Sequence, residues 1–232
     1  MQPNKPSLYL FFATIFFSIV FESFFGNHDI TIYLRSLAIP LIFIYFLISN
    51  NYKISWYQSI LFFFCFMGDV MNILNPVYAS YGSIFSFITV YSLFFWIFYN
   101  VFKRSKIKKK DMAPVLMVLV FIVFLTLSVL NLTVNKNDKF DLYILYGIVM
   151  SAMSICCFIN YILRPTVVNL FAMIMVICFL LSDIFFVFNK YSHELLIFRL
   201  IRNTTQSLAY YFMARYFLLL KNNKRYNKLN HN

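Results

Sequence analysis

Long apolar runs separated by short polar connections dominate this chain. Windows of about 20 apolar residues, the length a helix needs to cross a bilayer, recur along the whole sequence. They predict eight spans, near residues 8–25, 30–49, 54–74, 78–102, 112–134, 140–163, 166–188 and 194–220. The pattern predicts an all-α integral membrane protein, a bundle of about eight transmembrane helices in a single membrane domain over residues 1–232.

The distribution of positive charge predicts the orientation of this bundle. With a cytoplasmic N-terminus, thirteen Lys and Arg residues fall on the cytoplasmic side and five on the opposite side. Cytoplasmic loops of membrane proteins carry the excess of Lys and Arg. We therefore expect both the N-terminus and the C-terminus in the cytoplasm, which requires an even number of spans.

A short basic run follows the fourth predicted span directly. It consists of Lys103, Arg104, Lys106, Lys108, Lys109 and Lys110. The run lacks interleaved aromatic residues, so a topology signal that also contacts anionic lipid headgroups is favoured over a nucleic-acid site. No nucleic-acid partner is expected.

The composition excludes an ordinary soluble domain. The chain is 62% hydrophobic and only 12% charged, whereas about a quarter of the residues in a soluble domain are charged. All four cysteines lie inside apolar spans, without a metal-ligand spacing to histidine. They are interpreted as buried small residues, and neither a metal site nor a cofactor is expected.

Two acidic residues inside the apolar spans are the main candidates for function. Asp69 and Asp183 lie near the ends of the third and seventh spans. A charge in hydrocarbon is costly, so an intramembrane acid is by default a functional candidate. At a rise of about 1.5 Å per residue, each lies roughly 22 to 27 Å from the cytoplasmic end of its helix. The two carboxylates are therefore predicted at similar depth, in the outer half of the membrane.

Other polar residues are predicted in the same layer. They are Glu22, Arg35, Asn72, Arg199, Arg202, Asn203 and Gln206. The last helix presents its members at spacings of three and four, so they can share one face, and Arg35 and Arg202 are available to both aspartates. Two interpretations exist: ion pairs that fix helix packing, or a polar cavity. Two acids and two arginines in one layer favour the cavity.

At these residues the chain resembles the YhhN-type, lysoplasmalogenase-like membrane proteins. Three features carry the resemblance: Arg35 followed by Pro40, Gly68-Asp69, and the segment from Ser182-Asp183 to Asn189-Lys190-Tyr191. The chain departs from the family pattern in three ways. Arg35 stands where the family usually has lysine. The family commonly has a histidine in the fourth helix, whereas here no histidine occurs between His28 and His193. The family's Tyr-x-x-x-Gln on the last helix is reversed here, because Gln206 precedes Tyr210.

The resemblance implies a hydrolase of the vinyl ether bond of lysoplasmalogens, acting in an intramembrane cavity by carboxylate acid/base catalysis. It implies Asp69 and Asp183 as the catalytic pair, without deciding which is the acid. The implied substrate-binding residues are Arg35, Arg202, Asn72, Ser182, Gln206, Tyr210 and Glu22, with the two arginines on the phosphate. The substrate would be a membrane lipid or lysophospholipid, and the location the inner membrane of a bacterium.

Two other classes of function stay open at this point. A noncatalytic lipid-binding, sensing or assembly protein of the same fold would explain the absence of an intramembrane histidine. A small transporter would also place carboxylates and arginines in a cavity, but transporters usually break their helices there, and the chain has only four glycines.

Overall fold

The part of the chain that the structure describes folds into eight α-helices. The computed structural model describes residues 5–25, 28–74, 76–105, 107–133, 140–192 and 194–229. The helices are α1 Lys5–Val20, α2 His28–Ser49, α3 Trp56–Leu74, α4 Pro76–Phe102, α5 Met112–Asn131, α6 Phe140–Leu163, α7 Val167–Tyr191 and α8 Leu196–Leu229. These residues contain no β-strand, so the all-α prediction is confirmed.

Five of these helices are long and apolar enough to cross a membrane, and they indicate a multi-pass membrane protein. They cover Pro6–Phe24, Tyr81–Phe102, Lys109–Asn131, Phe140–Leu163 and Val167–Tyr191. Shorter apolar helices cover Tyr33–Ser49 and Trp56–Met71. The helix α8 is as long as a span, but its first half carries arginines and amides and its end is basic, which lowers its apolar character.

The first helix differs from its prediction. The apolar run predicted one uniform helix over residues 8–25, but the α-helix ends at Val20 and Phe21–Phe25 form a π-helical segment. Glu22 lies in this segment and is buried. Single π-turns within helices are frequent at functional sites, and here the turn carries Glu22, which contacts α8.

The core of the bundle is aromatic and aliphatic. Near its centre Phe94 of α4 stacks on Phe217 of α8, with ring centroids 6.1 Å apart and an interplanar angle of 10°. The helices α7 and α8 pack along each other, as do α3 and α4, and α4 and α6. The helix α5 packs mainly against α6, and it exposes Met117, Phe121 and Phe124, as expected of a face turned to lipid.

One glycine permits a close approach between α3 and α4. A Cβ atom added at Gly68 would lie 2.9 Å from Cε2 of Phe87. That distance is shorter than real Cβ contacts, so a larger residue at position 68 would require the Phe87 ring to shift. Gly68 directly precedes Asp69 in α3.

Candidate functional site

The polar face of α8 approaches acidic residues of three other helical segments, of which Glu22 and Asp69 are buried and Asp183 is partly buried. Asn203 reaches Glu22 of the π-helical segment, and Gln206 reaches Asp69 of α3. Arg202 interacts electrostatically with Asp69 and with Asp183 of α7. Residues predicted to share one layer are therefore gathered around α8, but Glu22, Asp69 and Asp183 have different hydrogen-bond partners.

Asp183 is held by two tyrosines through a single oxygen. The hydroxyls of Tyr91 and Tyr146 each donate to Asp183 Oδ2 at 2.7 Å. The two hydroxyls lie 3.3 Å from one another. Charged acceptors form strong hydrogen bonds with such donors. Within the described part of the chain Asp183 Oδ1 makes no hydrogen bond, so this oxygen is left for a ligand.

Asp69 has both oxygens engaged. Gln206 Nε2 donates to Asp69 Oδ1 at 2.7 Å. The Tyr210 hydroxyl lies 3.0 Å from Oδ1 and 3.1 Å from Oδ2. Gln206 Nε2 also donates to the Tyr210 oxygen at 2.9 Å, which closes a three-residue network. Asp69 is only 9% exposed, so its carboxylate is enclosed by α8.

Arg202 interacts with both aspartates without a direct hydrogen bond to either. Its guanidinium stacks over the Phe186 ring, 4.6 Å from the centroid, and is attracted by both carboxylates and repelled by Arg35. Among the described residues it has no hydrogen bond and no ion pair within 4.0 Å. Its donors are thus available, in the fork geometry that matches carboxylate or phosphate.

A pocket brings Asp183 and Arg202 into one wall. Its volume is about 70 Å³. Helices α4 to α8 all contribute to it. Of the residues predicted for the site, it contains Ser182, Asp183, Arg202 and Gln206, together with Tyr146. Asp69 and Tyr210 stand behind Gln206 and do not line the pocket.

The remaining predicted residues lie elsewhere. Arg35 lines a smaller cavity between α1, α2 and α8, with Ser18 and Asn203. Glu22 accepts a hydrogen bond from Asn203 Nδ2 at 2.8 Å and lies 4.0 Å from Arg199 Nε. The side chain of Asn72 lies outside the described residues, as does Lys106. Of the two aspartates, only Asp183 lines the pocket. A shared catalytic site of Asp69 and Asp183 therefore stays a prediction.

Tyr91 and Tyr146 were missed by the sequence reasoning. Both lie inside apolar spans, where a buried phenol needs a hydrogen-bond partner. The chain contains 17 tyrosines, however, and spacing along the chain does not distinguish the two that contact Asp183. Their separations from Asp183 are 92 and 37 residues, so only helix packing brings them there.

Metal-binding groups do not assemble in the described part of the chain. No three His, Cys, Asp or Glu side chains there lie close enough to hold an ion. Cys65, Cys156, Cys157 and Cys178 are buried and unpaired, in agreement with their interpretation as packing residues.

The fold and the pocket together define a class: helical membrane proteins with a carboxylate and an arginine in a pocket enclosed by their helices. A sequence profile of the YhhN family matches residues 30–222. The chain belongs to the YhhN family, as its motifs predicted. Neither the curated proteins nor the solved structures contain a significant match to this chain.

Proposed function

We propose that this protein is a membrane hydrolase that cleaves the vinyl ether bond of lysoplasmalogen-type lysophospholipids. The observation that carries the proposal is the state of Asp183: two tyrosines hold one carboxyl oxygen, while the other oxygen is left in a pocket that also contains Arg202. Membership of the YhhN family is compatible with this chemistry.

Asp183 can act as acid and then as base in one cycle. In its protonated form it donates its proton from Oδ1 to the alkene carbon that is not bonded to the ether oxygen. This step gives an oxocarbenium ion. The resulting carboxylate takes a proton from a water molecule as that water attacks the cation, and a hemiacetal forms. Collapse of the hemiacetal releases a fatty aldehyde and the glycerol hydroxyl. A positioned acid or base contributes typically 10²–10⁴-fold to such a step.

Tyr91 and Tyr146 support both stages of this cycle. Their hydroxyls donate to Oδ2, so Oδ2 acts as an acceptor throughout and the exchangeable proton is confined to Oδ1. Their hydrogen bonds also stabilise the carboxylate that forms after proton transfer. Arg202 lies close enough to stabilise the same charge.

Arg202 is the residue best suited to the phosphate of the lipid. Its donors make no hydrogen bond within the described residues, and its guanidinium lies over the Phe186 ring. The sequence reasoning paired Arg35 with Arg202 on the phosphate. Because Arg35 lines the smaller cavity, Arg202 is the cation that we assign to the headgroup, and Arg35 balances the charge of Asp69.

We further propose that all eight helices cross the inner membrane of a bacterium, with both termini in the cytoplasm. The positive-inside distribution supports this orientation. In that arrangement Lys103, Arg104, Lys108, Lys109 and Lys110 lie at the cytoplasmic surface, where the exposed side chains of this run contact anionic headgroups.

Aldehyde release from 1-alkenyl-glycerophosphoethanolamine by the purified protein in detergent tests the proposed activity. We expect release by the wild type and a loss of at least about 10³-fold in Asp183→Asn, because asparagine cannot donate and retake the proton. Asp141→Asn is the matched control, since Asp141 is exposed in the first turn of α6. Lipid binding without release by the wild type would contradict the hydrolase and favour a noncatalytic lipid-binding protein.

A further inference from the structure

The side-chain amide of Gln206 is held in one orientation by Asp69. A carboxylate accepts hydrogen bonds and does not donate them, so the NH₂ end of Gln206 must face Asp69. Nε2 donates to Asp69 Oδ1 at 2.7 Å and to the Tyr210 oxygen at 2.9 Å. Both hydrogens of the amide are thereby used, and both acceptors lie behind the pocket wall.

The other end of the amide is an acceptor without a partner. Gln206 is 6% exposed, and among the described residues its Oε1 is buried and accepts no hydrogen bond. Buried polar atoms in native proteins are nearly always satisfied, and each exception calls for an explanation. Gln206 lines the pocket, and its nitrogen is bonded to two groups that do not line it. Oε1 is therefore the end of the amide that remains for a ligand in the pocket.

We infer that Gln206 Oε1 accepts a hydrogen bond from a hydroxyl group of the substrate, and that Asp69 is a positioning residue that orients this acceptor. The inference rests on the proposed function. In the proposed substrate the hydroxyl is the free one on carbon 2 of the glycerol, between the ether on carbon 1 and the phosphate on carbon 3.

The three groups that this assignment needs all line the same pocket. In the assignment Asp183 serves the ether, Gln206 the hydroxyl and Arg202 the phosphate. Gln206 follows Arg202 by one helical turn on α8, a spacing of about 5–6 Å between Cβ atoms, which suits neighbouring groups of a short glycerol backbone. The two aspartates thereby receive different roles, one in the reaction and one in recognition.

This arrangement predicts selection for lipids with a free hydroxyl. A site built to hydrogen-bond a substrate hydroxyl rejects an analogue that lacks it by up to 10⁴–10⁵-fold. The decisive probe is the 2-deoxy analogue of 1-alkenyl-glycerophosphoethanolamine, which removes the donor without adding bulk. For the wild type we expect kcat/KM to fall by at least about 100-fold between the hydroxy and the deoxy lipid.

Variants locate the source of this discrimination. Gln206→Met keeps the length of the side chain and removes the amide, so the ratio of the two kcat/KM values should fall to within about threefold of one. Asp69→Asn should lower the ratio at least about tenfold, because the amide of Gln206 is then free to rotate. Gln58→Met is the matched control. Gln58 is a buried glutamine whose Oε1 accepts a hydrogen bond from the Ser55 backbone N–H at the start of α3. Its variant should keep the wild-type ratio of the two kcat/KM values.

The outcomes separate this inference from the proposed function. Equal rates with the hydroxy and deoxy lipids in the wild type, a measurement that needs no variant, would overturn the inference and assign Oε1 to water. An unchanged ratio in Gln206→Met would also overturn it, and an unchanged ratio in Asp69→Asn would remove the positioning role. If no lipid releases aldehyde, the proposed function fails, and the ratio of the Kd values for the same two lipids decides the inference instead.

Discussion

At the scale of the residue, the two intramembrane aspartates have the same side chain and different surroundings. Asp183 has one oxygen occupied by two phenols and one left for the pocket. Asp69 has both oxygens occupied by Gln206 and Tyr210. A reacting carboxyl needs a free oxygen to exchange a proton, so the difference in hydrogen bonding supports the different roles that we propose for the two aspartates.

The hydrogen bonds to Asp183 predict the effect of removing either phenol. Tyr146→Phe and Tyr91→Phe each delete one donor to the carboxylate, and a hydrogen bond to a charged group is worth about 1.5–3 kcal/mol. We expect kcat/KM for aldehyde release to fall about 10- to 100-fold in each variant. Steady-state kinetics with 1-alkenyl-glycerophosphoethanolamine measures the effect.

Tyr45→Phe serves as the control for this pair. Tyr45 is fully buried, and its hydroxyl contacts Arg215 near the other end of the bundle, so its variant should keep the wild-type rate. Rates unchanged in both Tyr91→Phe and Tyr146→Phe would show that the phenols do not support Asp183 in the reaction.

At the scale of the element, α8 holds the bundle together through polar contacts. It supplies Asn203 to Glu22, Gln206 and Tyr210 to Asp69, and Arg202 to the pocket. Polar residues often join helices in membranes, where the alternative is an unsatisfied group in hydrocarbon. On this helix the contact with Glu22, through Asn203, lies about one turn before the contact with Asp69, through Gln206.

The contact between α8 and the π-helical segment predicts a stability effect without an effect on chemistry. Asn203→Ala removes the donor to the buried carboxylate of Glu22, and an unsatisfied buried group costs about 1–3 kcal/mol. We expect a lower midpoint of thermal unfolding in detergent, with kcat within about threefold of the wild type since Asn203 lies outside the pocket.

Thr205→Ala is the neighbouring control for that experiment. The Thr205 hydroxyl donates to backbone oxygens of Ile201 and Arg202 within its own helix, so its loss should leave the unfolding midpoint close to that of the wild type. A normal midpoint for Asn203→Ala would mean that Glu22 does not tie α1 to α8.

At the scale of the whole molecule, the proposed orientation in the membrane can be tested by labelling single introduced cysteines. The four native cysteines are buried, so they should react slowly with a membrane-impermeant maleimide. In the proposed topology Ser105, after α4, lies in the cytoplasm, and Ser192, after α7, lies on the outer side.

We therefore expect Ser192→Cys to be labelled in intact cells and Ser105→Cys only after the membrane is opened. The wild-type protein gives the background of both measurements. Labelling of both variants in intact cells, or of Ser105→Cys alone, would contradict an arrangement with both termini in the cytoplasm.

The sequence by itself determined the helices and the candidate polar residues. Hydrophobic runs mark α-helices because a backbone in hydrocarbon must satisfy its own hydrogen bonds, and this local rule holds without knowledge of neighbours. Asp69 and Asp183 stand out for the same reason, since a charge is rare inside such a run. The motifs around them, from Arg35 to Lys190, were sufficient to indicate the family that the profile then matched.

Only the tertiary structure decided which polar groups meet. Gln206 and Asp69 are 137 residues apart, and Tyr91 and Asp183 are 92 apart, so their contacts depend on how the helices pack. The helical period placed Arg202, Asn203 and Gln206 near one another on α8. It could not show that Asn203 turns to Glu22 while Arg202 and Gln206 turn to the pocket, because the division depends on which helix faces each side chain. The π-helical turn at Glu22 was equally hidden, since the apolar run around it has the pattern of an ordinary helix and its contact with α8 joins residues far apart in the sequence.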